Sequence, residues 1–169
     1  MQANTSGHSN TGVGRYALQA NTTATYNTAV GNNSLYTNTT GVNNVAVGAS
    51  ALLANTTGEK NTAAGYNSLG ATTTGNHNSA FGNQCLDSNT TGANNTAVGH
   101  SALTACTTGS NNVVVGMDAG NAISTGPDNT IVGHDAGTSL TTGSNNLFLG
   151  HNAGTSNGAG GVMQDGISN

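Results

Sequence analysis

The sequence predicts an all-β protein, a parallel β-solenoid or β-roll of about nine 17-residue coils that associates with copies of itself as a trimer or filament. Three observations predict it. A glycine recurs every 17 residues, at Gly14, Gly31, Gly48, Gly65, Gly82, Gly99, Gly116, Gly133 and Gly150, with no insertion or deletion. An asparagine stands four residues before each one: Asn10, Asn27, Asn44, Asn61, Asn78, Asn95, Asn112, Asn129 and Asn146. The residues between are mostly β-branched or turn formers, and 17 residues do not divide into helical turns of about 3.6. Such a register is what stacked, equivalent coils require, because each must lie on the one before it.

With the asparagine as first position, the unit is clearest from Asn44 to Lys60, NVAVGASALLANTTGEK. The run Asn-Thr-Ala-Val is short and β-prone, and the glycine stops it. The next run carries small residues and leucine, as in Ala17-Leu18, Ser34-Leu35, Ala51-Leu52, Ser68-Leu69 and Ala102-Leu103, and it reads as a second short strand. Asn-Thr-Thr-Gly then makes a corner, its glycine suited to positive φ. The expectation is two strands and two corners per coil. Rising by about 4.8 Å each, nine coils span roughly 43 Å.

Residues of equal phase should form columns along the stack. The fourth-position column, Val13 through Phe81 to Leu149, and the ninth-position leucines, Leu18, Leu35, Leu52, Leu69, Leu86 and Leu103, read as the interior. The leucines give way to Gly120, Gly137 and Gly154, so the interior should narrow there or change partner. The third-position column grows from Ala29, Ala46, Ala63, Ala80 and Ala97 to Val114, Ile131 and Phe148, and is the expected contact between chains. The first-position asparagines should stack as an amide ladder. Cys85 and Cys106 stand in different phases and read as small substitutes within stacked columns.

The repeat domain covers residues 1–156, and residues 157–169 read as a Gly-rich tail or linker. Asn4-Thr5-Ser6-Gly7 already matches Asn38-Thr39-Thr40-Gly41. No capping segment is visible, which suggests a longer fibre or end-to-end association. Each coil offers about one valine and one leucine for burial, little against the ordering of its whole backbone. Neighbouring chains are therefore expected to supply the remaining burial.

Composition excludes several classes. Arg15 and Lys60 are the only strong bases and the formal net charge is −4, so no phosphate-tracking nucleic-acid surface is expected. No apolar run reaches the roughly 18 residues of a membrane span, and the first residues show no secretory signal. No activated nucleophile, phosphate loop or cofactor motif stands out, so neither an enzyme nor a cofactor is expected. His100, His134 and His151 share one phase, and Asp118 and Asp135 the next. His134 and His151 should stack beside Asp135, in a spacing that matches no specific metal motif. Asn4, Asn21, Asn38, Asn55 and Asn89 begin N-x-[ST] triplets in one phase. They form a candidate glycosylation column, or simply good corners.

The runs Asn27-Thr28-Ala29-Val30-Gly31, Asn44-Val45-Ala46-Val47-Gly48 and Asn95-Thr96-Ala97-Val98-Gly99 resemble the head repeats of trimeric autotransporter adhesins. The full unit is similar to the 17-residue repeats of phage and giant-virus tail-fibre-type proteins. The resemblance covers roughly residues 4–156 and implies a parallel β-roll, usually trimeric, in a surface-exposed fibre. It brings no catalytic residues, and the chaperone domain that often follows such repeats is not in this sequence. The expected function is therefore a non-enzymatic fibre or filament subunit. It would form the shaft of an extracellular, cell-surface or virion appendage, glycosylated and adhesive toward a host-surface glycan or protein. The alternative is an ice- or surface-binding solenoid displaying Thr40, Thr57, Thr74 and Thr91.

Overall fold

The computed structural model describes residues 2–155; the tail from 157 onward lies outside them. The described chain is a single parallel β-solenoid with a 17-residue period. Its nine strands are β1 (Thr11–Val13), β2 (Thr28–Val30), β3 (Val45–Val47), β4 (Thr62–Ala64), β5 (Ser79–Phe81), β6 (Thr96–Val98), β7 (Val113–Val115), β8 (Thr130–Val132) and β9 (Leu147–Leu149). They form one parallel sheet in sequence order. Every pairing keeps the 17-residue register, so Thr28 lies on Val45 and Ala29 on Ala46.

The backbone outside the strands is paired between coils as well. Thr28 N–H donates to Asn44 O at 2.9 Å, Leu18 N–H to Ser34 O at 3.1 Å and Ala20 N–H to Tyr36 O at 3.0 Å, all in the following coil. Gly31 N–H donates to Val13 O at 2.8 Å and Asn33 N–H to Arg15 O at 2.9 Å, in the preceding coil. Nearly the whole contour is stitched to its neighbours, as buried backbone groups require.

Three expectations are corrected. The first concerns the second strand. Each coil has one three-residue strand, and the Ala-Leu run is a turn. Leu18, Leu35, Leu52, Leu69, Leu86 and Leu103 all adopt positive φ, between 49° and 55°. So do the residues two positions earlier, such as Asn33 and Asn67. A left-handed residue costs roughly 1–2 kcal/mol, whereas full burial of a leucine contributes about 1.5–3 kcal/mol. Each leucine is completely buried, so burial wins.

The second correction concerns strand parity. Successive side chains on a strand point to opposite faces. The centre of each strand points inward, so the third-position column from Ala29 to Phe148 is the core and not a contact between chains. The fourth-position column, assigned to the interior from sequence, faces out: Val13 is 57% exposed, Phe81 44% and Leu149 60%.

The third correction concerns the glycine of Asn-Thr-Thr-Gly. Positive φ falls instead two residues later, at Tyr26, Asn43, Lys60 and their equivalents. Gly41 is required by crowding, because a Cβ there would lie 2.5 Å from Asn38 Oδ1 and 2.9 Å from Asn55 Nδ2. The strand-ending glycines need both properties. Gly14 has a φ of 128°, and a Cβ on it would lie 2.5 Å from Gly31 O.

The interior does change partner where the leucines end. A Cβ on Gly120 would meet Ile123 Cδ1 at 3.2 Å and Val114 Cγ1 at 3.5 Å. On Gly137 it would meet Ile131 Cδ1 at 2.8 Å, and on Gly154 the Phe148 ring at 2.8 Å. The volume lost at the ninth position is refilled from the third and twelfth. The backbone stays left-handed there, with φ of 57° to 71°, a conformation glycine adopts without cost.

Candidate functional site

The feature with the clearest capacity to act on another molecule is the outer face of the nine-stranded sheet. Positions two and four of each coil are exposed or half-exposed on either side of a central residue that is buried from β2 onward. The fourth-position column is apolar in every coil: Val13, Val30, Val47, Ala64, Phe81, Val98, Val115, Val132 and Leu149. The second-position column mixes threonine and serine with the exposed Val45, Val113 and Leu147. Neither column carries a charge. The sequence pointed to these residues but assigned them to the inside.

Two buried amide columns run along the stack. In the first, Oδ1 of one asparagine accepts the backbone N–H of the next, as from Asn44 to Asn27 at 2.9 Å and from Asn78 to Asn61 at 2.9 Å. Nδ2 donates to the carbonyl of the Thr-Thr-Gly glycine of the same coil, as from Asn44 to Gly58 at 2.8 Å and from Asn95 to Gly109 at 2.9 Å. The column runs from Asn10 to Asn146, and Asn27 to Asn129 are completely buried. These amides have their hydrogen bonds inside the stack, which is a structural task.

The second amide column is the row of N-x-[ST] asparagines. Asn21 donates to Asn4 Oδ1 at 3.0 Å, Asn38 to Asn21 at 3.3 Å and Asn55 to Asn38 at 2.8 Å. Each also closes its own corner, as Asn55 Nδ2 does on Gly58 O at 3.0 Å. Asn21, Asn38, Asn55 and Asn89 have no solvent-exposed surface, and Asn4 alone is exposed. The folded coil therefore leaves no room for a glycan at those four positions, which corrects the expectation of a glycan column. A triplet motif records residue types and cannot report which way the amide points.

The second column breaks at Thr72, and after Asn89 it passes to Cys106, Ile123 and Leu140. Buried Asn55 Oδ1 and Asn89 Oδ1 have no hydrogen-bond donor, and both lie immediately before a break. The cysteines are free and buried. Burial pushes the Cys85 thiol up to about 12 and the Cys106 thiol up to about 11, which keeps both protonated and unreactive at neutral pH.

The threonines separate into two columns of unlike role. Thr22, Thr39, Thr56, Thr73, Thr90 and Thr107 turn their hydroxyls onto the backbone, as Thr39 Oγ1 donates to Thr56 O at 3.0 Å. Their neighbours Thr23, Thr40, Thr57, Thr74, Thr91, Thr108, Thr125 and Thr142 form one exposed column. On the flank beyond the apolar column, His134 and His151 stack with ring centroids 5.2 Å apart. Among the described residues no helix is long and apolar enough to cross a membrane.

No family model matches the chain, and neither a curated protein nor a solved structure matches it.

Proposed function

We propose that the chain is a non-enzymatic structural subunit that builds the shaft of an extracellular or viral fibre by packing the outer faces of its sheets against copies of itself. The tail-fibre and adhesin-head resemblance of the repeats supports the same reading. The observation that carries it is the uncharged, apolar fourth-position column, repeated once per coil along the whole sheet. An exposed to half-exposed strip roughly 43 Å long and uniformly apolar is unusual on a monomer and marks an interaction surface. A second copy is the occupant that matches it. Only a partner with the same coil spacing can seat a side chain against every coil, and two uncharged faces do not repel.

Light scattering coupled to size exclusion, with electron microscopy of the same material, tests this directly. The expected result is oligomers and rods. Val47→Glu together with Val98→Glu should reduce them to monomers, with the β-rich circular dichroism spectrum retained. A native chain that runs as a monomer at tens of micromolar, or a charged variant that assembles like the native chain, would refute the proposal.

A surface- or ice-binding role is favoured by one observation, the exposed threonine column from Thr23 to Thr142. It is a single column, because the adjacent threonines are tied to the backbone. A thermal-hysteresis measurement separates the two readings, and the fibre reading expects none.

A further inference from the structure

We infer that His134, Asp135 and His151 form a binding site for a transition-metal dication of the zinc class, built on the flank of the solenoid by the stacking of the last two coils. Among the described residues, these three bring one ligand atom each to within 4.8 Å of one another. His134 Nδ1 lies 3.3 Å from Asp135 Oδ2, and the two imidazoles are nearly parallel, at an interplanar angle of 12°.

The backbone that carries these side chains is fixed. Asn152 N–H donates to His134 O at 3.0 Å and Asp135 N–H to Met117 O at 3.0 Å, which sets the spacing between adjacent coils. Asp135 is held in the left-handed region at a φ of 55°, and its carboxylate sits beside the His134 ring. Zinc-class ions bind imidazole nitrogen and carboxylate oxygen at about 2.0–2.2 Å, so donors around one ion lie roughly 3.4 Å apart in tetrahedral geometry. The His134–Asp135 separation of 3.3 Å already meets this, and the rest of the triad lies within 4.8 Å. All three side chains are exposed or half-exposed, and small side-chain rotations close the gap while the backbone stays in place.

The donor set decides the class of ion. Two nitrogens and one oxygen suit zinc, cobalt, nickel or copper, whereas magnesium and calcium take oxygen ligands. A fourth position remains for water or another ligand. The arrangement occurs once among the described coils. His100 shares the phase of His134, but the equivalent residue in the next coil is Met117, and its carboxylate neighbour Asp118 is at 4.0 Å. The inference stands on this cluster alone and does not depend on the fibre reading.

Calorimetric titration of the intact chain with Zn(II), and absorption spectroscopy with Co(II), test the site. The expected result is one saturable equivalent per chain and a Co(II) visible spectrum of low-coordinate nitrogen and oxygen ligation. His134→Ala, His151→Ala and Asp135→Asn should each weaken binding at least about ten-fold, and His100→Ala should leave it unchanged. Mg(II) at the same concentrations should not compete. Circular dichroism of each variant establishes that the fold is intact. The inference is overturned by an absence of saturation up to millimolar Zn(II), by His100→Ala weakening binding as much as His134→Ala, or by competition from Mg(II).

Discussion

Replacing Thr72 by asparagine should make the protein more stable. Thr72 interrupts the second amide column, and buried Asn55 Oδ1, just before the break, has no donor. The same acceptor on Asn38 receives Asn55 Nδ2 at 2.8 Å. Thr72→Asn places an amide where the column elsewhere already holds one, so the space and the corner geometry suit it. Leaving a buried acceptor unpaired costs about 1–3 kcal/mol. The new amide also matches the donation that Asn38 and Asn55 make to the carbonyls of Gly41 and Gly58 at 3.0 Å each. Against this stand the lost burial of one methyl, about 0.8 kcal/mol, and the long bond from Asn89 Nδ2 to Thr72 Oγ1 at 3.4 Å, which an amide oxygen replaces. The net expectation is a gain of about 1–2 kcal/mol. Urea unfolding followed by circular dichroism, under conditions that keep the association state constant, measures it. A substitution at exposed Thr74 serves as control and should stay within about 0.5 kcal/mol. An unchanged or lowered midpoint for Thr72→Asn would refute the claim that the unpaired carbonyl oxygen is a defect of the column.

Asn78→Ala should act in the opposite direction. It strips buried Asn95 N–H of its acceptor, a cost of about 1–3 kcal/mol, and removes one of two donors to Gly92 O, which keeps Asn89 Nδ2 and so loses only about 0.5–1.5 kcal/mol; the same unfolding assay should show a loss of about 1.5–4.5 kcal/mol. Gly137→Leu should destabilise by about 1–3 kcal/mol through overpacking against Ile131. Adding Ile131→Ala and Leu140→Asn gives that coil the interior of the second and third coils and should restore at least half of the loss. A triple variant no more stable than the single one would show that the interior columns do not exchange volume.

The sequence by itself determined the period, the parallel register and the number of coils, because stacking demands that every column advance by the same 17 residues. Strand-ending glycines such as Gly48 were legible for the same reason: a backbone that meets its own copy one coil away has no room for a Cβ. The asparagine column could be read as structural because a column filled in every coil reflects stacking rather than a single binding event. Only the tertiary structure decided which way each strand faces. A three-residue strand is too short for its alternation to declare itself, and parity is set by the turns on either side. Those turns run through leucines in left-handed conformation, which residue type does not announce, whereas Asn43 and Asn94 in the other turn do hint at it. The stacking of His134 on His151 followed from their shared phase, whereas the fate of the N-x-[ST] asparagines was settled by side-chain direction, a property of φ and of what lies above and below, and not of the letters in one coil.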